Sequence, residues 1–395
     1  MADSLPWERL REIANPYLRE PASGFEEIGD GNLNYIYRVW SATDSVIVKH
    51  ALDYIRISHG ARPLTIDRTM YEARALAVSD TLAPGRVPRV HTVIADSGIL
   101  VMEDLRHHRT LRSLCLSPDV GHERLDLVGE FLARTHLQTS AVLLAPEERA
   151  AYVTEFINPD MVRHTLGVTF RRPFNGSQVD DPQSVVVGLA QAFARDLPAG
   201  IRAQDLALDF ASNAEALLHG DMHTGSVMVD GDDVRVIDPE FAMMGPIGFD
   251  LGCFLAHLAI AHVHHVLLNN HRAVGVIEQW ASDFWAGYVR GVAEFWPEGQ
   301  VGRESFLARQ LGRTCAYAGI EMIRRVVGGA YVPETTLLDD DVRIQAHTML
   351  AARGRVLLLN TRELSWGELW RTATTNHDLP KTDAIHHGTI GEPHD

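Results

Sequence analysis

Asp221 and Asp238 stand seventeen positions apart within "EALLHGDMHTGSVMVDGDDVRVIDPEF", each beside a short apolar run. The segment between them, "SVMVDGDDVRVID", alternates like two short strands around an Asp-Gly-Asp-Asp turn, so both carboxylates fall at one end of a hairpin. One carboxylate can then take the proton of a hydroxyl while the other holds Mg²⁺ on a nucleotide phosphate, the division of labour that phosphoryl transfer needs. Such chemistry also demands a cation and a backbone cradle for the phosphates. "VIVKHA" supplies Lys49 at the end of an apolar strand, shortly after the "GDGNLN" turn that runs from Gly29 through Asp30, Gly31 and Asn32 to Asn34. Glu72, in the segment that follows, is placed to pair with Lys49.

The elements that must position these residues fall into two halves. "GFEEIGDGNLNYIYRVWSATDSVIVKHA" reads as strands about a tight turn, and "RVHTVIADSGILVMEDL" as another strand pair. Between them "TIDRTMYEARALAVSDTLA" places Met70, Ala73, Leu76 and Ala77 at helical spacing. After Leu105 the periodicity turns helical; Leu125, Val128, Leu132 and His136 would share one face. The expected organisation is α+β and two-lobed: residues 1–104 a small antiparallel-sheet lobe with one main helix, 105–380 a larger helical lobe, and 381–395 a polar tail.

Composition narrows the function classes. A formal net charge of −16 opposes non-specific binding to nucleic acid or to an anionic membrane, so any phosphate ligand must meet local cations or arrive with metal. Cys115, Cys253 and Cys315 are odd in number and far apart, with no Cys-x-x-Cys spacing, which suits a reducing cytoplasm. The charged N-terminus reads as an amphipathic helix and not as a signal peptide. "LGCFLAHLAIAHVHHVLL" carries four histidines and reads as a buried helix and not as a membrane span. Those histidines, His257, His262, His264 and His265, lack a matching carboxylate in the sequence and read as packed or surface residues.

The order of glycine turn, strand lysine, "HGDMH" and an Asp-x-Glu resembles the aminoglycoside-phosphotransferase and choline-kinase branch of the protein-kinase-like fold. Within that branch "GDGNLNYIYRV", "VMEDL", "FINPDM", "LLHGDMHTGSVMV", "VIDPEFAMMGPIGFDLG" and "EMIRRVVG" are similar to the S-methyl-5-thioribose kinases, from about Ile28 to about Gly328. The resemblance implies ATP and Mg²⁺ as cofactors and a small sugar as partner, with the 1-hydroxyl of 5-methylthioribose as acceptor. It also implies a homodimer. Asp221 would be the catalytic aspartate, and Asp238 and Glu240 would bind Mg²⁺. Lys49 would contact the phosphates, Gly29 to Asn34 would cover them, and Met102, Glu103 and Asp104 would form the hinge beside adenine. Arg324 and Arg325 would meet the sugar and the γ-phosphate.

Ser226 stands where kinases carry an Asn for a second metal, and a hydroxyl makes it only a weak ligand. Other residues keep plainer readings: His219 braces the loop, His223 faces either phosphates or core, and Asp250 bonds loop backbone. Periodicity alone leaves open whether Glu155 and Asn158 lie near the sugar. Other functions compatible with the residues are a 5-deoxyribose kinase, an aminoglycoside or choline-type kinase, and a nucleotide-binding pseudokinase. An arginine pair beside the acceptor would repel the cationic substrates of the second, and the third should lack Asp221, Asp238 or Lys49.

Overall fold

Five antiparallel strands in the order β1-β2-β3-β5-β4 build the first sheet: β1 (Gly24–Glu27), β2 (Asn34–Trp40), β3 (Ser45–Ala51), β4 (Val90–Ile94) and β5 (Ile99–Glu103). The computed structural model describes residues 4–28, 33–56, 62–176, 184–375 and 377. Gly29, Asp30, Gly31 and Asn32 of the glycine turn lie outside them, as does the tail expected from 381. Alternation along β3 decides what each face does. Val46 and Val48 join Leu10 and Ile13 of α1 (Trp7–Ala14) in one apolar cluster, while Ile47 packs on the opposite face with Ala73 and Leu76 of α2 (Arg68–Leu82). Lys49 shares the Ile47 face and is buried there, 4% exposed.

The helix expected over the second segment forms, but its buried side differs. Ala73 and Leu76 are buried as expected, Met70 is half-buried and Ala77 is exposed. Arg68 and Glu72 are buried instead, because each finds a charged partner. Small alanines mark a face weakly, and buried ion pairs leave no apolar period to read.

Beyond Glu103 the described residues turn helical around three short strands and one hairpin strand pair. In order come β6 (Arg109–Thr110), α3 (Leu111–Cys115), α4 (Leu125–Gln138), α5 (Pro146–Glu155), α6 (Pro159–Thr165), α7 (Ser184–Arg195) and α8 (Leu197–Ser212). Then follow β7 (Ala216–Leu218), β8 (Val227–Asp230), β9 (Asp233–Val236), β10 (Met243–Gly245), α9 (Gly248–Leu267), α10 (His271–Phe295) and α11 (Arg303–Val327). Last are α12 (Pro333–Thr336), α13 (Asp340–Leu358) and α14 (Trp366–Thr374). The β8–β9 hairpin closes at Asp230 and Asp233 as its turn sequence requires.

Helix α9 is long and apolar enough to cross a membrane by length and composition alone, yet every residue from Gly248 to His265 is buried among its neighbours. Its histidines are packed, each with a partner: His264 with Glu334 O at 2.7 Å and His265 with Cys115 O at 2.7 Å. His257 and His262 do meet carboxylates, Glu321 at 3.3 Å and Glu278 at 3.4 Å. These come from α11 and α10, which is why nearby sequence did not show them.

Candidate active site

The loop between β7 and β8 carries Asp221, and its backbone is fixed from behind. Asp250, fully buried at the start of α9, accepts from His219 N at 2.7 Å and from Gly220 N at 2.9 Å. His136 Nε2 on α4 lies 3.2 Å from the same carboxylate. Gly220 has φ +83°, and a Cβ there would lie 2.2 Å from Phe241 O, so only glycine fits. His219 Nε2 donates to Ile237 O at 2.9 Å, bracing the two strands' ends together as expected. The Ser226 hydroxyl donates to Asp221 O at 3.1 Å and lies 3.0 Å from His223 Nδ1, so it ties the loop together.

The Asp221 carboxylate is partly open, with Arg324 Nη2 at 3.6 Å and His223 Nε2 at 3.5 Å. Burial works against its charge, but His223, Arg324 and Arg325 outweigh burial and hold it well below the usual carboxylate range. It is therefore an anion at neutral pH, able to accept a hydrogen bond from a hydroxyl. His223, one of the residues left open above, turns toward Asp221 and against the His257 ring, 5.2 Å between centroids. Burial pushes its imidazole down while Asp221 pulls it up.

Opposite this loop, Lys49 Nζ is bound by Glu72 Oε2 at 2.7 Å and by the Asp238 carboxylate. Burial disfavours the ammonium, yet Asp238, Glu240 and Glu72 outweigh it and raise the Lys49 pKa. Burial pushes the Glu72 and Glu240 carboxyls up, with Lys49 opposing in both. Asp238 adopts φ +69°, a left-handed backbone that is costly for a non-glycine residue and often found where a site requires it. Glu240 is held by Asn34 Nδ2 at 2.9 Å and Arg68 Nε at 3.2 Å. Arg68 also donates from Nη2 to Asn34 Oδ1 at 2.8 Å, so the end of the glycine turn, α2 and the Asp-x-Glu segment share one buried polar knot. Nothing in the sequence flagged Arg68, although it precedes Glu72 by one helical turn.

Oxygens of Glu72, Asp238 and Glu240 lie within 4.8 Å of one another, and Glu72 Oε1 is buried without a hydrogen-bond partner. A set of hard carboxylate oxygens, one of them on the open Asp238 side chain, fits a hard divalent cation such as Mg²⁺.

Several expected residues play supporting parts. Asn158, fully buried, donates from Nδ2 to Glu240 O at 3.1 Å and Ala242 O at 3.0 Å, so it holds the backbone of the Asp-x-Glu segment. Glu155 faces Arg74 on α2 at 3.8 Å. At the end of β5, Asp104 accepts from Arg38 Nε at 2.8 Å and Ser45 Oγ at 2.6 Å, and Glu103 from Arg89 N at 3.0 Å. Met102 is buried on β5.

The profile of the phosphotransferase enzyme family matches residues 24–288. Methylthioribose kinase from Bacillus pumilus is 33% identical over 318 residues, 78% of this chain and 79% of that protein. Methylthioribose kinase from Exiguobacterium sibiricum is 31% identical over 87% of this chain and 90% of that protein. The chain belongs to the methylthioribose kinases of the phosphotransferase enzyme family. Among solved structures, a choline kinase from Cryptosporidium parvum covers 87% of this chain and 95% of its own, at 11% identity and a TM-score of 0.53. An amicoumacin kinase covers 93% and 98%, at 14% identity and a TM-score of 0.50. The fold is thus the protein-kinase-like fold of this family, an antiparallel sheet followed by a helical majority.

Proposed function

We propose that the protein transfers the γ-phosphoryl group of ATP to the 1-hydroxyl of 5-methylthioribose, giving the 1-phosphate and ADP. The observation that carries this reading is Asp221, an ionised, partly open carboxylate between Arg324 and His223, in a chain 33% identical to a methylthioribose kinase. The acceptor hydroxyl gives its proton to Asp221 as its oxygen attacks the γ-phosphorus, and the bond to the β-phosphate oxygen breaks. Lys49, held as an ammonium, lies on the phosphates, and Gly29 to Asn34 cover them. Met102, Glu103 and Asp104 form the hinge beside adenine, with the Glu103 and Asp104 carboxylates turned to Arg89 N and to Arg38.

Asp238 and Glu240 would hold Mg²⁺, which neutralises charge on the phosphates when bound. Arg324 and Arg325 serve the acceptor side, where their charge suits a neutral sugar better than an aminoglycoside or choline. Residues 1–104 act as the nucleotide-clamping lobe and 105–380 as the lobe that carries the reaction. Three unpaired, buried cysteines suit the cytoplasm. The family resemblance supports a homodimer, which light scattering would test.

The deciding experiment measures ADP release with methylthioribose, 5-deoxyribose, choline and an aminoglycoside as acceptors. Methylthioribose should give the highest kcat/KM; a higher value for any other acceptor overturns the substrate assignment. Asp221→Asn should lower kcat about 10²- to 10⁴-fold while ATP binding by calorimetry stays near the parent value. Retained turnover would remove Asp221 from its role.

A further inference from the structure

Arg324 and Arg325 are adjacent on α11, so helix geometry alone would send their side chains out about 100° apart. One carboxylate gathers them. Glu321, wholly buried, accepts from Arg324 Nε and, at 2.8 Å, from Arg325 Nε. It stands three and four residues before them, the two spacings that share a helix face. From α9, His257 Nε2 approaches Glu321 Oε1 at 3.3 Å, while His257 Nδ1 has no hydrogen-bond partner. Burial opposes the Glu321 charge, but Arg324, Arg325 and His257 outweigh it and hold the carboxyl well below its usual range. An ionised carboxylate only accepts, so His257 donates through Nε2–H.

With both Nε atoms taken by Glu321, the outer nitrogens are left for other work. Arg324 Nη2 is the atom 3.6 Å from Asp221 Oδ1, and Arg325 Nη1 donates to Ala330 O at 3.2 Å. The charges of Arg324, Arg325, Asp221 and Glu321 cancel, two positive against two negative. A neutral residue at 321 would leave the acceptor side with one excess positive charge.

We propose that Glu321 is a positioning and specificity-determining residue: it fixes the Arg324 guanidinium beside Asp221, ties Arg325 to the same carboxylate and removes one of their two charges, so that the site takes an uncharged sugar and turns away free anions. The proposal rests on the reading of Asp221 and the arginine pair as the acceptor side of the kinase.

The test uses the full chain with Glu321→Gln, Glu321→Asp and Arg324→Ala, measuring the KM for methylthioribose and for ATP, inhibition by inorganic phosphate, and thermal melting. Loss of charge-assisted bonds in Glu321→Gln should raise the sugar KM about tenfold or more and leave the ATP KM within about twofold. Phosphate should become a stronger inhibitor competitive with the sugar. Glu321→Asp keeps the charge on a shorter arm, so its sugar KM should rise about threefold, with no added phosphate inhibition. A folded Glu321→Gln protein with unchanged sugar KM and phosphate inhibition overturns the proposal. If that variant does not fold, a parent-like sugar KM in Glu321→Asp does so instead. Unchanged sugar kinetics in Arg324→Ala would count against the acceptor-site reading itself, which separates the two failures.

Discussion

Asp221 and Glu321 are two buried-side carboxylates whose charge is kept for different ends. Asp221 is held ionised by neighbours that do not fully enclose it, so its carboxylate stays partly open. Glu321 is enclosed by three donors and is left nothing to react with. The folded pKa of Glu321 lies below its unfolded value, so the unfolded chain binds more protons between the two. Stability from this group is complete above the ordinary glutamate range of about 4.3 and is lost as pH falls below it. Urea unfolding of Glu321→Gln should therefore show a shallower loss of stability below about pH 4 than the parent chain. Equal slopes would mean that Glu321 is not ionised in the fold. Asp221 was legible in sequence because its motif is local. Glu321 stands beside the arginines in "EMIRR", but its bond to α9 spans 64 positions and no local pattern encodes it.

At the scale of elements, short loops are aimed by groups set far behind them. Strand alternation made the sheet legible, and the Asp-Gly turn made the β8–β9 hairpin legible. The braces were harder to see. His136 and Asp250 are 114 residues apart, Asn34 and Glu240 are 206 apart, and both contacts arise only when helices and sheet pack. Periodicity left the place of Asn158 open; the fold gives its Nδ2 two carbonyls of the Asp-x-Glu segment, Glu240 O and Ala242 O. Asp250→Asn replaces one acceptor oxygen with a donor facing either His219 N–H or Gly220 N–H. That leaves a buried amide unsatisfied, so the variant should lose about 1–3 kcal/mol of stability. Its kcat should fall while the ATP KM holds, since the loop and not the phosphate clamp is disturbed. A melting temperature and kcat equal to the parent's would show that the loop is held by other means.

Across the whole molecule, the sheet half and the helical half meet through charge: Lys49 with Asp238, Asn34 and Arg68 with Glu240, and Arg74 with Glu155. At their junction three carboxylates, Glu72, Asp238 and Glu240, face two cations, Lys49 and Arg68. ATP alone would bring more negative charge to a junction that already has an excess, in a chain of net charge −16. A divalent cation reverses that balance, and it can do so through Asp238, whose side chain is 43% exposed. Binding that closes both halves on one ligand stabilises the fold by mass action, about 2.7 kcal/mol at a hundredfold excess over Kd. Melting curves should therefore rise by a few degrees with ATP and Mg²⁺ together, and by less than half of that with ATP plus a chelator or with Mg²⁺ alone. Asp238→Asn should lose the Mg²⁺-dependent part and keep most of the small shift due to ATP alone. If a chelator leaves the full shift in place, the carboxylate cluster is a brace between the halves and the metal is held elsewhere.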